Sequence, residues 1–556
     1  MTPPRLRADT LRIIPLGGLG DVGRNMTAFE INKELLLIDA GVLFPEDDHP
    51  GVDLILPAFD LIGDRLDRAA GLVLTHGHED HIGAVPFLLQ RRPDLPIYGS
   101  SLTLGFVRSK LREYRLQNVD FHEVREGDRL SIGEQYDVEF IAVNHSIPDA
   151  LAVCLRTKGG TVLHTGDFKM DQLPLDGRIT DLRAFARLGE EGVDIFMADS
   201  TNAEVPGFTT SELDVEPALR RVFDQSDQKI VVACFSSHVH RVQQVISQAK
   251  LHDRKVVYVG RSMVRNMAVA RDLGFLEVPG DVLIDLKDLD HYPAERVVII
   301  STGSQGEPLS ALARMANGNH PNVALAPGDT VLLASSLVPG NENAVSRVIN
   351  GLSRIGVQVV HKGNAMVHVS GHAAAGELLY CYNIIKPRHA LPVHGEARHL
   401  LANAKLAIKT GVPPERAFVL QDGAVVDLRD HEARVTGQLE ADYIFVDGSS
   451  VGDLTAESLN DRRILGAAGF ITIVVVVDIA RKQVTKIDLS ARGFVDDSDS
   501  AFESVRPQIE KNVVASMRDG ETDPYALQQI TRRTVGRWVS STLKGRPMIV
   551  PVVITM

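Results

Sequence analysis

The chain has 556 residues, 44% of them apolar and 24% charged, with a formal net charge of −13. At about 150 residues per domain this length predicts three or four domains of a soluble globular protein, and the absence of repeats or biased tracts excludes fibrous and low-complexity classes. The acidic balance argues against wholesale electrostatic capture of nucleic acid, and three scattered cysteines, never CxxC, argue against a disulfide framework or thiolate metal site.

The N-terminus carries no apolar segment followed by a small-residue cleavage site, so the expected setting is cytoplasmic with no membrane partner. LRIIPL, MTAFEI and ELLLIDAG read as consecutive strands, with Asn32-Lys33 as a hairpin turn between the last two. GGLGDVG (17–23) contains G-x-G-x-x-G, with Asp39 at about the distance of a ribose ligand. A dinucleotide site needs a helix N-terminus at the last glycine, and the next segment has strand alternation, so that reading is set aside. GLVLT and PIYG are further strands, IGAVPFLLQRR and LTLGFVRSKLREYRLQ are helices, and VEFIAVN, LAVCLRT and TVLHTGD return to strand. From about residue 217, KIVVACF, KVVYVG, RVVIIST and TVLLASS each precede a helical pattern, the rhythm of βαβ units on a parallel sheet. After residue 440 come two strands (the longest apolar run, FITIVVVVDIA, is strand-sized), two helices and a last strand, MIVPVVITM. The basic stretches 108–115 and 532–546 read as solvated helix faces.

Between strand GLVLT and the next helix stands His76-Gly77-His78-Glu79-Asp80-His81. Imidazole and carboxylate in this density are ligands for zinc, manganese or iron, and no thiolate is present for a closed structural zinc site. One such loop cannot ligate two metals, so further ligands must come from elsewhere. His145 in VNHSIPD, Asp167 in HTGDFK and His394 in LPVHGEA each follow an apolar strand and can reach the same rim.

HxHxDH, a later single histidine, an aspartate in TGD and a final histidine resemble the metallo-β-lactamase superfamily. The long α/β insertion, with Asp199 in ADSTNAE, His372 in VSGHA and His394 in PVHGE, resembles the β-CASP branch. GGLGDVGRN, LIDAGVLFPEDD, FSSHVHR, GRSM, STGSQGEP, HVSGHA and VHGEARH are similar to the bacterial ribonuclease J family through nearly the whole chain. The resemblance implies an αββα sandwich carrying an inserted doubly wound β-CASP domain and a small α+β C-terminal domain. It also implies a dinuclear centre of zinc, manganese or both. His76, His78 and His145 would hold one ion, Asp80, His81 and His394 the second, and Asp167 would bridge. The expected divisions are a lactamase-like domain over 1–216 and 366–440, the insertion over 217–365, a linker over 441–465 and a C-terminal domain over 466–556.

The expected activity is hydrolysis of single-stranded RNA, mainly 5′-to-3′ from monophosphorylated ends, with room for endonucleolytic cleavage. Asp80 is a candidate to position water, and His372, oriented by Asp199, to protonate the leaving oxygen. HVSGHA (368–373) reads as a phosphate cradle built from His368, Val369, Ser370, Gly371 and His372. FSSH adds Ser236, Ser237 and His238 at a helix start, where ordinary N-capping explains them equally well. Acid-rich PEDDHPGVD (45–53), with Asp447, is a candidate calcium loop, although a solvated loop is the plainer reading. The family expectation adds a homodimer or higher homo-oligomer and RNA-degradation partners. The alternatives are a non-catalytic RNA-binding scaffold and a small-ester or lactam hydrolase.

Overall fold

Strands form where β-branched and leucine residues cluster between turn residues: Leu11–Gly17, Met26–Ile31 and Glu34–Ile38. Asn32 and Lys33 both take positive φ, 49° and 73°, the backbone of a two-residue hairpin whose twist matches its strands. The computed structural model describes residues 2–46, 48–307, 309–337, 340–495 and 501–556. Its contacts resolve into two compact units, Met1–Phe44 with Leu54–Ile444, and Pro45–Asp53 with Phe445–Met556.

The larger unit contains an eight-stranded sheet. Its order is Glu432–Gln438, Ala424–Arg429, Leu11–Gly17, Met26–Ile31, Glu34–Ile38, Ala69–Val73, Ile97–Gly99 and Phe121–Glu123. A six-stranded sheet runs His389–Ala390, Ile195–Met197, Gly160–His164, Leu151–Thr157, Tyr136–Ala142 and Arg129–Ile132. Between them lie Leu11, Phe29, Leu36, Phe140, Val153 and Ile195, buried to 1% exposure or less. Each such side chain contributes roughly 1.5–3 kcal/mol through removal from water. Helices Leu182–Glu191, Ala375–Ile385 and Ala397–Lys409 supply the outer layer of the second sheet through Phe185, Leu188, Leu378 and Leu406. Helices Val85–Arg91 and Ser101–Glu113 lie on the first. The architecture is the expected αββα sandwich.

The insertion is a five-stranded, wholly parallel sheet. Its order is Lys255–Val259, Val297–Ser301, Ile230–Ala233, Thr330–Leu333 and Gln358–Val360. Helices Val239–Leu251, Arg261–Asp272, Ala311–Ala316 and Glu342–Ile355 connect it, as the alternating rhythm predicts. In the smaller unit, strand Phe470–Asp478 lies between Gln483–Arg492 and Met548–Thr555. It buries Ile471, Ile473, Val475 and Val477 completely under helices Arg506–Arg518 and Pro524–Trp538. Among the described residues no helix is long and apolar enough to cross a membrane.

Two local differences from the sequence reading have physical causes. The helix expected from Ile82 begins at Glu79, because His78 is extended (ψ 150°) and starts a single turn, Glu79–Ile82, before the chain continues as Val85–Arg91. The stretch 441–465, expected to be a linker, carries strand Ile444–Asp447 and most of helix Ala456–Ala468. Thr455 caps that helix by accepting from the Ser458 amide, and only Leu459 is buried, which left little hydrophobic periodicity to read.

Candidate metal centre

Six loops meet at one rim of the sandwich, each leaving the end of a strand. Ala69–Val73 leads to His76, Tyr136–Ala142 to His145, Gly160–His164 to Asp167, Ile195–Met197 to Asp199, and His389–Ala390 to His394. The loop through His372 follows the last strand of the insertion. The turn bearing Asp80 and His81 sits hard against Gly41, where a Cβ would stand 1.5 Å from the Asp80 carbonyl oxygen. Any side chain at position 41 would therefore push the turn out of the rim.

The histidines and aspartates converge in groups whose ligand atoms all lie within 4.8 Å of one another. In the first group, His78 Nδ1 is 3.1 Å from His76 Nε2 and 3.0 Å from His145 Nε2, while Asp167 Oδ2 is 3.7 Å and 3.6 Å from those two Nε2 atoms. In the second, Asp167 Oδ1 is 3.2 Å from His81 Nε2 and 2.5 Å from His394 Nδ1, and Asp80 Oδ2 is 3.6 Å from the Nε2 of both histidines. Ligands about 2.0–2.1 Å from a tetrahedral zinc stand about 3.3 Å apart, so the spacings of 3.0 to 3.7 Å suit a cation within each group, whereas the 2.5 Å contact of His394 Nδ1 is a hydrogen bond to Asp167. His394 Nε2 is buried without a hydrogen-bond partner, which a cation would supply. The donor set fits divalent metal, and Asp167 alone belongs to both groups.

The electrostatics differ between the two groups. Burial, followed by the neighbouring imidazoles, holds His76 and His145 well below the ordinary histidine range, and burial puts His78 at about 4. These three imidazoles are neutral at physiological pH. Burial also works against charge on His81 and His394, but nearby Asp167 outweighs it and raises both. Asp167 is held well below the usual carboxylate range by His394 and His81 despite its burial.

Asp39 is a functional candidate that sequence reasoning missed. Its Oδ2 accepts from His81 Nδ1 at 2.8 Å, and its carboxylate accepts from the Thr75 amide at 2.8 Å and hydroxyl at 2.9 Å. That fixes the His81 tautomer and leaves Nε2 for the rim. Asp39 holds a left-handed φ of 60°, and His394 one of 52°, uncommon for residues other than glycine. The available signal was a charged residue directly after an apolar strand and before glycine, in LLLIDAG.

His372 Nδ1 donates to Asp199 Oδ2 at 2.8 Å and lies 3.9 Å from Asp167 Oδ2. Burial opposes its charge, but Asp199 overrides this and pushes the imidazole up to about 9. The side chain is 20% exposed, so it faces the rim with access to solvent. Ser370 and both serines of FSSH are half-buried, whereas His368 and Val369 are buried and Gly371 abuts His145. His238 caps helix Val239–Leu251, its side chain accepting from the Arg241 amide, and its buried ring faces Glu212. The capping role thus accounts for His238, which presents no exposed face to a substrate.

Asp447 forms an ion pair with Arg462 at 2.5 Å, and among the described residues no group of three metal-binding side chains includes it. Asp47 of the acid-rich loop lies outside the described residues. The geometry therefore gives the calcium expectation no support at Asp447: a guanidinium already neutralises its carboxylate.

With this geometry in hand, four family models match in succession. These are a beta-lactamase superfamily domain over residues 36–222, the ribonuclease J beta-CASP domain over 227–352, a Zn-dependent metallo-hydrolase RNA specificity domain over 356–419, and the ribonuclease J C-terminal domain over 457–556. Ribonuclease J of Mycolicibacterium smegmatis is 50% identical over 99% of this chain and 98% of its own length. That of Thermus thermophilus is 40% identical over 98% and 95%, and ribonuclease J2 of Bacillus subtilis 34% identical over 98% of both. A solved structure of a protein of unknown function from Enterococcus faecalis aligns with a TM-score of 0.51 over 69% of this chain and 94% of that one, at 16% identity, a likeness of fold. Identity at this level over the full length, together with the domain sequence, places the chain in the ribonuclease J family.

Proposed function

We propose that the chain is a metal-dependent ribonuclease that digests single-stranded RNA from 5′-monophosphorylated ends, with endonucleolytic cleavage as a secondary activity. The observation that carries this reading is the meeting of two His/Asp groups on Asp167, with the His372–Asp199 pair beside them. His76, His78 and His145 would hold one ion, Asp80, His81 and His394 the other, and Asp167 both; zinc and manganese suit these donors. When bound, two such cations activate water and neutralise charge on a phosphodiester.

The remaining chemistry belongs to side chains. Asp80, the least enclosed of the proposed ligands' carboxylates, orients the attacking water. His372 is charged at neutral pH and holds its Nδ1 proton on Asp199, leaving Nε2–H to protonate the departing 3′ oxygen. Water adds to phosphorus as the P–O3′ bond breaks, leaving a 5′-phosphate and a 3′-hydroxyl. Ser370, Ser236 and Ser237 are the accessible hydroxyls for phosphate contacts. The C-terminal unit is the proposed association module of a homodimer or larger homo-oligomer.

The test supplies chelator-stripped protein, manganese added back, and RNA labelled at a 5′-monophosphate or a 5′-triphosphate, with His78→Ala as control. Labelled mononucleotide released from the monophosphate RNA alone supports the proposal. Internal fragments from both RNAs would make endonuclease the main activity, and no cleavage with any metal would favour the scaffold alternative.

A further inference from the structure

We infer that Arg241 is a positioning residue for the loop that carries His372, acting through the backbone rather than on substrate. The inference rests on the ribonuclease reading above. Arg241 is wholly enclosed, at 0% exposure, on helix Val239–Leu251 of the insertion, so it cannot be a substrate contact. Its Nη2 donates to Glu212 Oε2 at 2.8 Å, and its Nη1 donates to the Val367 carbonyl. Glu212 begins the 3-10 turn Glu212–Val215, just before the chain enters the insertion, and Val367 lies just after the chain leaves it. One guanidinium fork therefore ties the entry to the exit.

Downstream of Val367, the loop's hydrogen bonds to other described segments lie at its far end. His145 Nδ1 donates to the Gly371 carbonyl at 2.7 Å, Thr209 Oγ1 to the His372 carbonyl at 2.7 Å, and His372 Nδ1 to Asp199. Between these anchors, the Ser370 hydroxyl accepts from the His372 amide at 3.2 Å. Arg241 is thus the upstream anchor of a span whose downstream anchor is a proposed metal ligand. Burying an ion pair is not itself stabilising relative to well-packed apolar residues, since desolvation offsets the attraction. What an apolar residue cannot supply is the directed bond to Val367, and lysine cannot make two bonds in a fixed fork.

The test compares Arg241→Met, Arg241→Lys and Glu212→Gln in the full-length, metal-loaded protein, well below the lowest melting temperature. A shift of about 1 Å at a reacting group costs on the order of 100-fold, so Arg241→Met is expected to lose kcat on 5′-monophosphorylated RNA by that order. Arg241→Lys should fall between Met and the parent. Glu212→Gln keeps an acceptor for Arg241 and leaves the Val367 bond intact, so it should melt earlier yet retain its kcat. Parental kcat in Arg241→Met overturns the inference, as does an equal loss of kcat in the Met and Gln variants, which marks a merely structural role. Should Arg241→Met fail to fold, parental kcat in Arg241→Lys overturns it. If the parent itself cleaves no RNA, the ribonuclease reading has failed, and amide exchange decides the loop separately. Faster exchange at residues 368–372 in Arg241→Lys but not in Glu212→Gln supports the anchor, and no difference refutes it.

Discussion

Replacing Asp39 with asparagine removes one charge from beneath the centre and little else. Asparagine tolerates the left-handed backbone at φ 60°, so the turn is kept. The carboxylate of Asp39 accepts from the Thr75 amide, the Thr75 hydroxyl and His81 Nδ1, at 2.8, 2.9 and 2.8 Å. An amide can accept on one atom only, so at least one of these buried donors faces an NH2 group. An unsatisfied buried donor costs about 1–3 kcal/mol. That range matches the roughly 10–100-fold loss of metal affinity usual when the group orienting a ligand histidine is removed. His81 belongs to the second group alone, so the loss should fall on one ion. Zinc titration against a chromophoric chelator should give two affinities in the parent, and in Asp39→Asn one unchanged and one weaker by about 10–100-fold. Equal weakening of both affinities, or none, would refute the idea that Asp39 acts by aiming His81.

Other consequences are equally open to measurement. His372→Gln should lower kcat by about 100- to 10,000-fold while both metals remain bound, because general acid catalysis is lost and His372 lies outside the two main groups. His372 also gives a pH signature in the metal-free protein. Its folded pKa of about 9 exceeds the ordinary 6.5, so its stabilisation is complete below pH 6.5 and disappears as pH rises through 9. The shift corresponds to about 3 kcal/mol, reduced to about 2 kcal/mol by solvent reaching a fifth of the side chain. The melting-stability gap between parent and His372→Gln should therefore close across that window; a gap that widens with pH would reverse the assignment. Gly41→Ala should displace the Asp80–His81 turn, costing about 2 kcal/mol or more and weakening metal binding, since the new Cβ would overlap the Asp80 carbonyl. Unchanged metal affinity in that variant would mean the turn can relax without moving its ligands. Cleavage should also weaken steeply as salt rises from about 50 to 300 mM, because phosphate contacts release counterions.

The candidate HxHxDH loop was legible because its imidazoles and carboxylates crowd six adjacent positions, and the convergence of His145, Asp167 and His394 on it because each is a polar residue at the end of an apolar strand. The sheets were legible from alternation and the insertion from its strand–helix rhythm. In sequence Asp39 stands out only by its distance from the glycines of 17–23, because its bonds to Thr75 and His81 span 36 and 42 positions and exist only once two strands pair. Arg241 and Glu212 were hidden for the same reason, being 29 residues apart and joined by the packing of the insertion. A histidine at a helix start looks alike in sequence whether it caps the helix or meets a ligand, and only the folded chain shows the capping contact of His238. Helix Ala456–Ala468 went unread because a helix that buries one leucine leaves almost no apolar stripe.

The central claim is that seven side chains form one dinuclear centre, and metal-loaded crystals test it most directly. An anomalous difference map collected at the manganese or zinc edge should show two peaks about 3.5–4 Å apart. One should lie among His76, His78 and His145, the other among Asp80, His81 and His394, with Asp167 reaching both. A single peak, or peaks away from Asp167, would contradict the account.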